Sequence, residues 1–260
     1  ARGFKGVMGI DYWRTHASVV RKESVRLVVA HAAKHNLQHH TMDIAGAFLE
    51  SHIDRKVFVK VEGDGLESLK PPEPGMQLCL DKSLYGIKQA PRQWYMQFSQ
   101  RDLVEQWGWT RHLHDPCLLM KRRSETDFCI ICLYVDDTSM YHPKGSKVFE
   151  ELLEQVGEKY SYSCRDDADV FLGLRIRRPQ DFHYSIDQER FVLDAAETYG
   201  FSRTVYQDTP SSKARRDDPL TKQDCPATDA EREEMAKYPY RGLIGTLRHL
   251  EQWTRPDISC

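Results

Sequence analysis

The chain has 260 residues, 40% of them hydrophobic and 29% charged, with a formal net charge of −2 at pH 7. This composition excludes an intrinsically disordered chain and supplies enough apolar material for one large domain or two small ones. No apolar run approaches the roughly 20 residues of a membrane-spanning helix, so we expect no membrane partner. The chain starts at Ala1 and ends at Cys260, and we expect both ends to be cuts through a longer polyprotein or gene.

The first quarter of the chain is predicted to hold a helix followed by strands. Ser24 is placed as the N-cap of a helix that runs to about His35, because valines and alanines follow it at helical spacing. The segment LQHHTMDI (37–44) is predicted as a strand that ends at Asp43. The alternating segment 56–61 is predicted as a further strand.

The middle of the chain is predicted to alternate between extended and helical segments. Residues 63–75 form a loop, 77–86 are extended, and a helix runs from Pro91 to about Trp107, where Gly108 stops it. Strands are then expected at 117–122, 128–135 and 138–142, with Asp136 and Asp137 as the turn between the last two.

The last part of the chain mixes a hairpin with helices. A helix follows Ser146, the segments 169–178 and 182–187 form a hairpin, and a capped helix covers 188–200. Residues 207–237 are polar and rich in charge, which predicts a linker or a mobile arm. An apolar helical pattern resumes over 238–253. Helices mixed with hairpin-linked strands indicate the α+β class.

Basic residues are concentrated between Lys82 and Arg123, with tyrosines and tryptophans among them. Basic and aromatic residues together suit phosphate neutralisation and base stacking, which are typical of nucleic-acid binding. Solvated charges above a packed aromatic core explain the same stretch equally well.

Two adjacent carboxylates, Asp136 and Asp137, end the apolar strand 128–135. Like charges placed together repel, so the pair lies in a solvated turn or holds a cation. Asp43 ends another predicted strand, and three carboxylates from two strand ends are what two-metal phosphoryl transfer needs. The pattern alone leaves both alternatives open, because Asp-Asp is also common in hairpin turns.

Several ordered blocks of sequence surround these aspartates. Together they resemble the reverse transcriptase of copia-type LTR retrotransposons, and the resemblance covers nearly the whole chain. The blocks are HTMDIAGAFLESHIDRKVFV, LDKSLYGIKQAPRQWY, DPCLLM, LYVDD, FLGLRI and YRGLIGTLRHLEQWTRPDIS.

The resemblance implies a right-hand polymerase fold. Residues 1–206 would hold partial fingers, the palm, a primer-grip hairpin and the start of the thumb. Residues 207–237 would be the polar linker, and 238–260 the truncated start of a thumb or connection region.

The resemblance also implies the reaction and its metal ligands. A primer 3′-hydroxyl attacks the α-phosphate of a deoxynucleoside triphosphate and releases pyrophosphate. Asp43, Asp136 and Asp137 are similar to the family's catalytic aspartates and would hold Mg²⁺, with Mn²⁺ as the alternative ion. Asp43 and Asp136 would bridge the metals, Asp137 would bind more weakly, and the carbonyl group of Ile44 would face a metal.

Further residues are assigned to substrates by the same resemblance. Phe48 would lie under the sugar and exclude a 2′-hydroxyl group, although from the residues alone it is better explained as a core phenylalanine. The other residues expected at the nucleotide are Tyr85, Gly86 and Lys88. Primer or template contacts are expected from Gln89, Arg92, Tyr134, Phe171, Leu172 and Gly173. A solvated turn with a helix start and a plain packed hairpin are the alternatives for these segments.

The expected partners are an RNA template, a DNA or tRNA primer, dNTPs, and the integrase and ribonuclease H parts of a polyprotein. The family's location is intracellular, in cytoplasmic virus-like particles. Only ARGF is present of the basic fingers segment that the family carries. The segments THASVV and IAGAFLES differ from the residues that are usual in the family at these places. The missing fingers segment puts the activity of this fragment alone in doubt. A non-catalytic remnant that at most binds nucleic acid is the alternative function, and a metal-dependent nuclease or other nucleotidyl transferase is a third.

Overall fold

A computed structural model describes residues 6–59, 77–166, 170–201 and 221–259. Its mixture of helix and sheet agrees with the predicted α+β class. The strands are β1 (Gln38–Ile44), β2 (His52–Val59), β3 (Leu78–Lys82), β4 (Thr110–Arg111), β5 (Leu118–Arg122), β6 (Phe128–Tyr134), β7 (Asp137–His142), β8 (Tyr162–Asp166), β9 (Val170–Phe171), β10 (Leu174–Gln180) and β11 (His183–Asp187). The helices are α1 (Lys22–His35), α2 (Ala47–Glu50), α3 (Ala90–Trp94, continued as a π-helix over Tyr95–Gln106), α4 (Lys147–Lys159), α5 (Glu189–Thr198), α6 (Asp229–Ala236) and α7 (Tyr240–Trp253). None of the helices in these ranges is long and apolar enough to cross a bilayer.

A six-stranded antiparallel sheet in the order β4-β5-β6-β7-β1-β8 organises the first part of the chain. The inner strands β6 and β7 are buried along almost their whole length, and α1 and α4 pack against β6. Strands that are covered on both faces are apolar throughout rather than alternating, as in FCIICLY. Smaller sheets pair β2 with β3 and order β11-β10-β9.

Contacts divide the chain into two compact units. The first comprises Ala1–Leu172 with Arg177–Tyr184, and the second Gly173–Ile176 with Ser185–Cys260. The six-stranded sheet lies wholly within the first unit.

An aromatic cluster joins α3 to the end of α4. Trp94 stacks on Phe98 with ring centroids 5.1 Å apart, and Tyr160 meets Trp94 edge-on at 5.5 Å. The fully buried carboxylate of Asp102 accepts hydrogen bonds from Lys159 and from the Tyr160 hydroxyl. These hydrogen bonds satisfy a buried polar group and tie α3 to the end of α4.

The prediction that Ser24 caps α1 is wrong. The helix begins at Lys22, and its N-cap residue Arg21 provides no side-chain cap. The buried Asp115 carboxylate takes the capping role, because it accepts hydrogen bonds from the Arg21 N–H group at 3.0 Å and from the Ser24 hydroxyl at 2.6 Å. A cap that comes from a residue distant in sequence leaves no local pattern to read.

Other predicted segments differ in their bounds. The segment 169–178 is not one strand, because Leu172 and Gly173 have φ values of 58° and 74° and reverse the chain between β9 and β10. Strand β8 and the short helix α2 were not predicted, since YSCRD and AFLE are too polar or too short to show a period. The loop predicted at 63–75 lies outside the described residues.

The predicted linker 207–237 is described only from residue 221 onward. That part contains a 3₁₀ turn, Lys222–Asp224, and helix α6. The Thr228 hydroxyl and the Glu231 carboxylate form a reciprocal capping box at the start of α6.

The aromatic residues in the basic stretch 82–123 are divided between core and surface. Trp94 and Trp109 are buried, so they are not available for base stacking, whereas Tyr85 is exposed. Among the cations, Lys121 and Arg123 both pair with Glu151 on α4. The packed-core alternative is therefore correct for these two tryptophans.

Two buried histidines make the six-stranded sheet sensitive to acid. Burial is the largest cause that lowers the pKa of His39 to about 3, followed by the nearby His40 and His142. Burial likewise lowers the pKa of His142 to about 4, partly offset by the Pro143 carbonyl oxygen 2.9 Å from its Nδ1. Both values lie below the ordinary 6.5, so the unfolded chain binds more protons than the folded chain between pH 6.5 and 4.

Stability is therefore fully present above pH 6.5 and is lost as the pH falls. We expect the melting temperature to drop between pH 7.5 and 5. A buried imidazole that stays neutral down to pH 5 lowers the free energy of unfolding by about 2 kcal/mol over this range, because the same group takes up a proton in the unfolded chain. Thermal denaturation followed by circular dichroism measures the drop, and His39→Gln should make it smaller. An unchanged melting temperature over this range would contradict the burial of neutral imidazoles.

Candidate active site

The register of β1, β6 and β7 brings the predicted aspartates to one corner of the sheet. Asp43 on β1 is directly opposite Asp137 on β7, and Asp137 is also opposite Tyr134 on β6. Directly opposed residues in an antiparallel pair have Cα atoms about 4.5–5.5 Å apart. Asp136 lies in the connecting loop, next to Asp137, so all three carboxylates share this corner.

The hairpin loop consists of Val135 and Asp136, not of the predicted Asp136 and Asp137. The difference arises because Asp137 is the first residue of β7 and closes the ladder with Tyr134. Val135 has a φ of 57°, a left-handed conformation that is rare for a β-branched side chain. A positive φ at the first central position is the pattern of a type II′ turn, which usually contains Gly there.

The carboxylates at this corner lie close enough to repel one another. Burial is the main cause that raises the pKa of Asp137, and Asp136 and Asp43 raise it further. The pKa of Tyr85 is raised by burial and then by the same two carboxylates, so its hydroxyl group lies near both. Bound cations would remove this repulsion.

The donor set of the corner suits a hard divalent cation. It consists of carboxylate oxygens, which Mg²⁺ and Mn²⁺ prefer, and Mg²⁺ commonly takes only one or two protein carboxylates together with substrate phosphates. Within the described ranges no three His, Cys, Asp or Glu side chains are already gathered as a metal cluster. The chemistry of the three carboxylates fits a divalent ion, and Asp43, Asp136 and Asp137 are the residues that would hold it.

A cavity of about 420 Å³ opens beside Asp43 and Asp137. Its lining includes Thr41 on β1, Ser163 and Arg165 on β8, and Phe171 on β9. The structure thus brings the predicted primer residue Phe171 to the same cavity as two aspartates. Arg165 was missed by sequence reasoning, and the only signal for it was the alternation of Ser163 and Arg165 on a strand that was not recognised.

Phe48 lies on α2, immediately beyond the strand that carries Asp43. Gly46, with a φ of 63°, turns the chain out of β1, and the Phe48 ring meets the Tyr85 ring with centroids 4.7 Å apart. Phe48 is half-buried and Tyr85 is exposed. The pair therefore lies at the solvent-facing edge of the corner, where Tyr85 is near Asp136 and Asp43. Gly86 follows with a φ of 91°, which a residue with a side chain rarely adopts.

The polar residues after Gly86 contact the N-terminal segment 6–16. The Lys88 ammonium group donates to the Tyr12 hydroxyl at 3.1 Å and lies 5.0 Å from the centre of that ring. Gln89 is buried and donates to the Asp11 carbonyl oxygen at 3.2 Å, and Arg92 donates to that of His16 at 3.4 Å. A phosphate contact by Lys88 or Arg92 would compete with these hydrogen bonds.

The remaining predicted residues occupy strand ends and a turn. Ile44 is buried at the end of β1, opposite Tyr162. Tyr134 is half-buried at the end of β6 and forms a bridge with Val19. Leu172 and Gly173 form the turn after Phe171.

Comparison with known proteins identifies the family. Residues 1–213 match the family model described as reverse transcriptase (RNA-dependent DNA polymerase). The chain is 30% identical over 259 residues to the retrovirus-related Pol polyprotein from transposon TNT 1-94 of Nicotiana tabacum, covering 99% of this chain and 19% of that protein. It is 26% identical over 261 residues to the Pol polyprotein from transposon RE2 of Arabidopsis thaliana, covering 100% of this chain and 17% of that protein. The chain thus spans less than a fifth of the length of these relatives.

Proposed function

This chain belongs to the reverse transcriptases of copia-type retrotransposons, and from this premise we propose that it catalyses template-directed transfer of a nucleotide from a dNTP to a primer 3′-hydroxyl group. The observation that supports the proposal most strongly is the register that sets Asp43 opposite Asp137, with Asp136 in the adjoining loop. Both opposed aspartates line the cavity, which leaves room for phosphate oxygens beside them.

The three aspartates would hold the divalent ions of the proposed site, with Asp43 and Asp136 as the main ligands and Asp137 as a weaker one. When bound, Mg²⁺ or Mn²⁺ supplies polarisation of the α-phosphate and a lowered pKa of the attacking hydroxyl group. The chain itself contributes position, because strands β1 and β7 fix Asp43 and Asp137 before substrate arrives. Such pre-organisation removes much of the entropic barrier of a two-substrate reaction.

The nucleotide is assigned to the surface that Phe48 and Tyr85 border. Phe48 would meet the sugar and exclude a 2′-hydroxyl group, while Gly86 lets the backbone approach the base or phosphates. Ile44 would offer its carbonyl oxygen to a metal. Lys88 would leave Tyr12 to reach a phosphate.

The primer end is assigned to the cavity beside Asp43 and Asp137. Phe171, at the cavity, with Leu172 and Gly173 in the next turn, would hold the primer end. The other residues assigned to primer or template are Tyr134, Gln89 and Arg92.

In the proposed polymerase the six-stranded sheet is the palm. Residues 1–206 are the reverse transcriptase core, 207–237 a polar connection and 238–260 the start of the thumb or connection region. The relatives are Pol polyproteins, which supports a place in a larger polyprotein and nucleic-acid substrates. As the specific partners we propose integrase and ribonuclease H parts, an RNA template and a DNA or tRNA primer.

Primer extension tests the proposed function. The complete open reading frame that encodes this chain is expressed, and incorporation of dTTP on poly(rA)/oligo(dT) is measured with Mg²⁺, with Mn²⁺ and with excess EDTA. We expect extension that requires both the template and a divalent ion. Binding of the template-primer without any incorporation would support the non-catalytic alternative instead.

A further inference from the structure

The strained loop next to Asp136 is held by a side chain from another element. The Trp94 indole Nε1–H group donates a hydrogen bond of 2.9 Å to the Val135 carbonyl oxygen. Trp94 is completely buried, and the Val135 backbone is in the left-handed region at a φ of 57°. The hydrogen bond is therefore made to the loop residue whose backbone conformation is unfavourable for its side chain.

The position of the accepting oxygen gives this hydrogen bond its consequence. A peptide group is planar, so the Val135 carbonyl oxygen lies in one plane with the nitrogen and Cα atoms of Asp136. A hydrogen bond to the oxygen restrains rotation of that plane, and the orientation of the plane helps to set the direction in which the Asp136 side chain leaves the backbone. Without the hydrogen bond, Val135 gains by relaxing to a negative φ, which would rotate the plane.

Trp94 is well placed to act as a fixed donor. Its ring stacks on Phe98 and meets Tyr160 edge-on, and the Tyr160 hydroxyl donates to the buried Asp102 carboxylate. A donor that is locked by packing and by further hydrogen bonds orients its partner better than a mobile one.

We propose that Trp94 is a positioning residue for nucleotidyl transfer, and that its indole N–H group holds the Val135–Asp136 peptide plane so that the Asp136 carboxylate points at the corner shared with Asp43 and Asp137. The inference rests on the proposed function. Trp94 touches no substrate in this arrangement and acts only through the loop.

The alternative role for Trp94 is core packing alone, and Trp109 provides the matched control. Trp109 is equally deep in the core, but its Nε1 atom is buried without a hydrogen-bond partner in the described part of the chain. Trp109→Phe therefore removes a similar buried volume without removing a hydrogen bond. Trp94→Phe removes both.

The experiment compares Trp94→Phe, Trp109→Phe, Val135→Gly and the double variant Trp94→Phe/Val135→Gly in the complete open reading frame. Steady-state primer extension gives kcat, the KM for dTTP and the Mg²⁺ concentration for half-maximal rate, and thermal denaturation gives the melting temperature. We expect Trp94→Phe to lower kcat by about 10- to 100-fold, because each increase of about 1.4 kcal/mol in the activation free energy slows the reaction tenfold. The Mg²⁺ concentration for half-maximal rate should rise, and the KM for dTTP should change by less than about threefold. Trp109→Phe should lower the melting temperature through its lost volume alone, by less than Trp94→Phe does, and should keep kcat within about twofold.

The double variant separates positioning from packing. Gly adopts a positive φ without strain and is the preferred residue at this place in a type II′ turn, so the loop of Val135→Gly depends less on the indole. We expect Trp94→Phe to cost less than about fivefold in kcat in the Val135→Gly background. Equal losses in both backgrounds, or equal losses for Trp94→Phe and Trp109→Phe, would overturn the proposal.

Two further measurements keep the test decisive. If Trp94→Phe fails to fold, β-(3-benzothienyl)alanine introduced at position 94 keeps the ring size and removes only the N–H donor, and the same loss of kcat is expected. If the unchanged protein incorporates no nucleotide, the proposed function fails by itself. Hydrogen exchange over residues 133–138 then still tests the loop, because Trp94→Phe should speed exchange there and Trp109→Phe should not.

Discussion

Replacing Asp136 with Asn should lower kcat for primer extension by about 10³-fold or more, while the melting temperature stays the same or rises. The substitution removes a charge that the proposed divalent ions need, and several kcal/mol of transition-state stabilisation go with it. It also removes the charge of Asp136, which raises the pKa of the Asp137 carboxyl group more than Asp43 does. Fewer like charges at this corner stabilise the fold even as the reaction is lost.

The exposed Asp54 offers a matched control for this substitution. Asp54→Asn makes the same chemical change on β2, where the carboxylate side chain is 55% exposed and pairs weakly with Arg55 at 3.8 Å. Its kcat should remain within about twofold of the unchanged protein, since surface ion pairs contribute little. If Asp136→Asn kept full activity, Asp136 would not be a metal ligand.

Replacing Phe48 with Val should admit ribonucleotides. The half-buried ring stands beyond Asp43 and is supported by Tyr85, so a 2′-hydroxyl group at the proposed sugar position would meet a filled space. Forcing an extra group into filled space costs about 1–3 kcal/mol, so removal of the ring should reduce the preference for dTTP over UTP by roughly 10- to 100-fold. The ratio of kcat/KM for the two nucleotides on poly(rA)/oligo(dT) measures the change.

Phe58 supplies the control for sugar selectivity. Phe58 is 56% exposed on β2, and Phe58→Val should leave the preference for deoxynucleotides as it is. Unchanged selectivity in Phe48→Val, with a lowered melting temperature, would return Phe48 to a role in packing alone.

Local sequence patterns predict many of the helices and strands. The valines after Ser24, the strand that ends at Asp43 and the helix from Pro91 to Gly108 were all readable, because periodicity, a proline and a glycine act over neighbouring residues. The candidate site was readable only through its resemblance to a family. From the residues alone, a solvated turn explains Asp136 and Asp137 better than a bound cation does.

The remainder depends on contacts between residues distant in sequence. No local pattern near Asp43 predicts that Asp137 lies opposite it, and no local pattern near α1 predicts the hydrogen bond from the start of this helix to Asp115. Val135 is the sharpest case, because a β-branched residue predicts extended backbone and here adopts a positive φ. Tertiary structure overrides the local preference at that point, and the hydrogen bond from Trp94 is the visible restraint.

The direct opposition of Asp43 and Asp137 makes segment length as important as residue identity. Side chains alternate between the faces of a strand, so one residue inserted or deleted within β1 before Asp43 would turn this carboxylate to the opposite face if the rest of the ladder kept its pairing. All three aspartates would still be present in such a sequence. In the proposed polymerase, a related sequence with one extra residue in β1 would lack activity although all three aspartates are present. The number of residues from Gln38 to Asp43 distinguishes such a sequence from an active one.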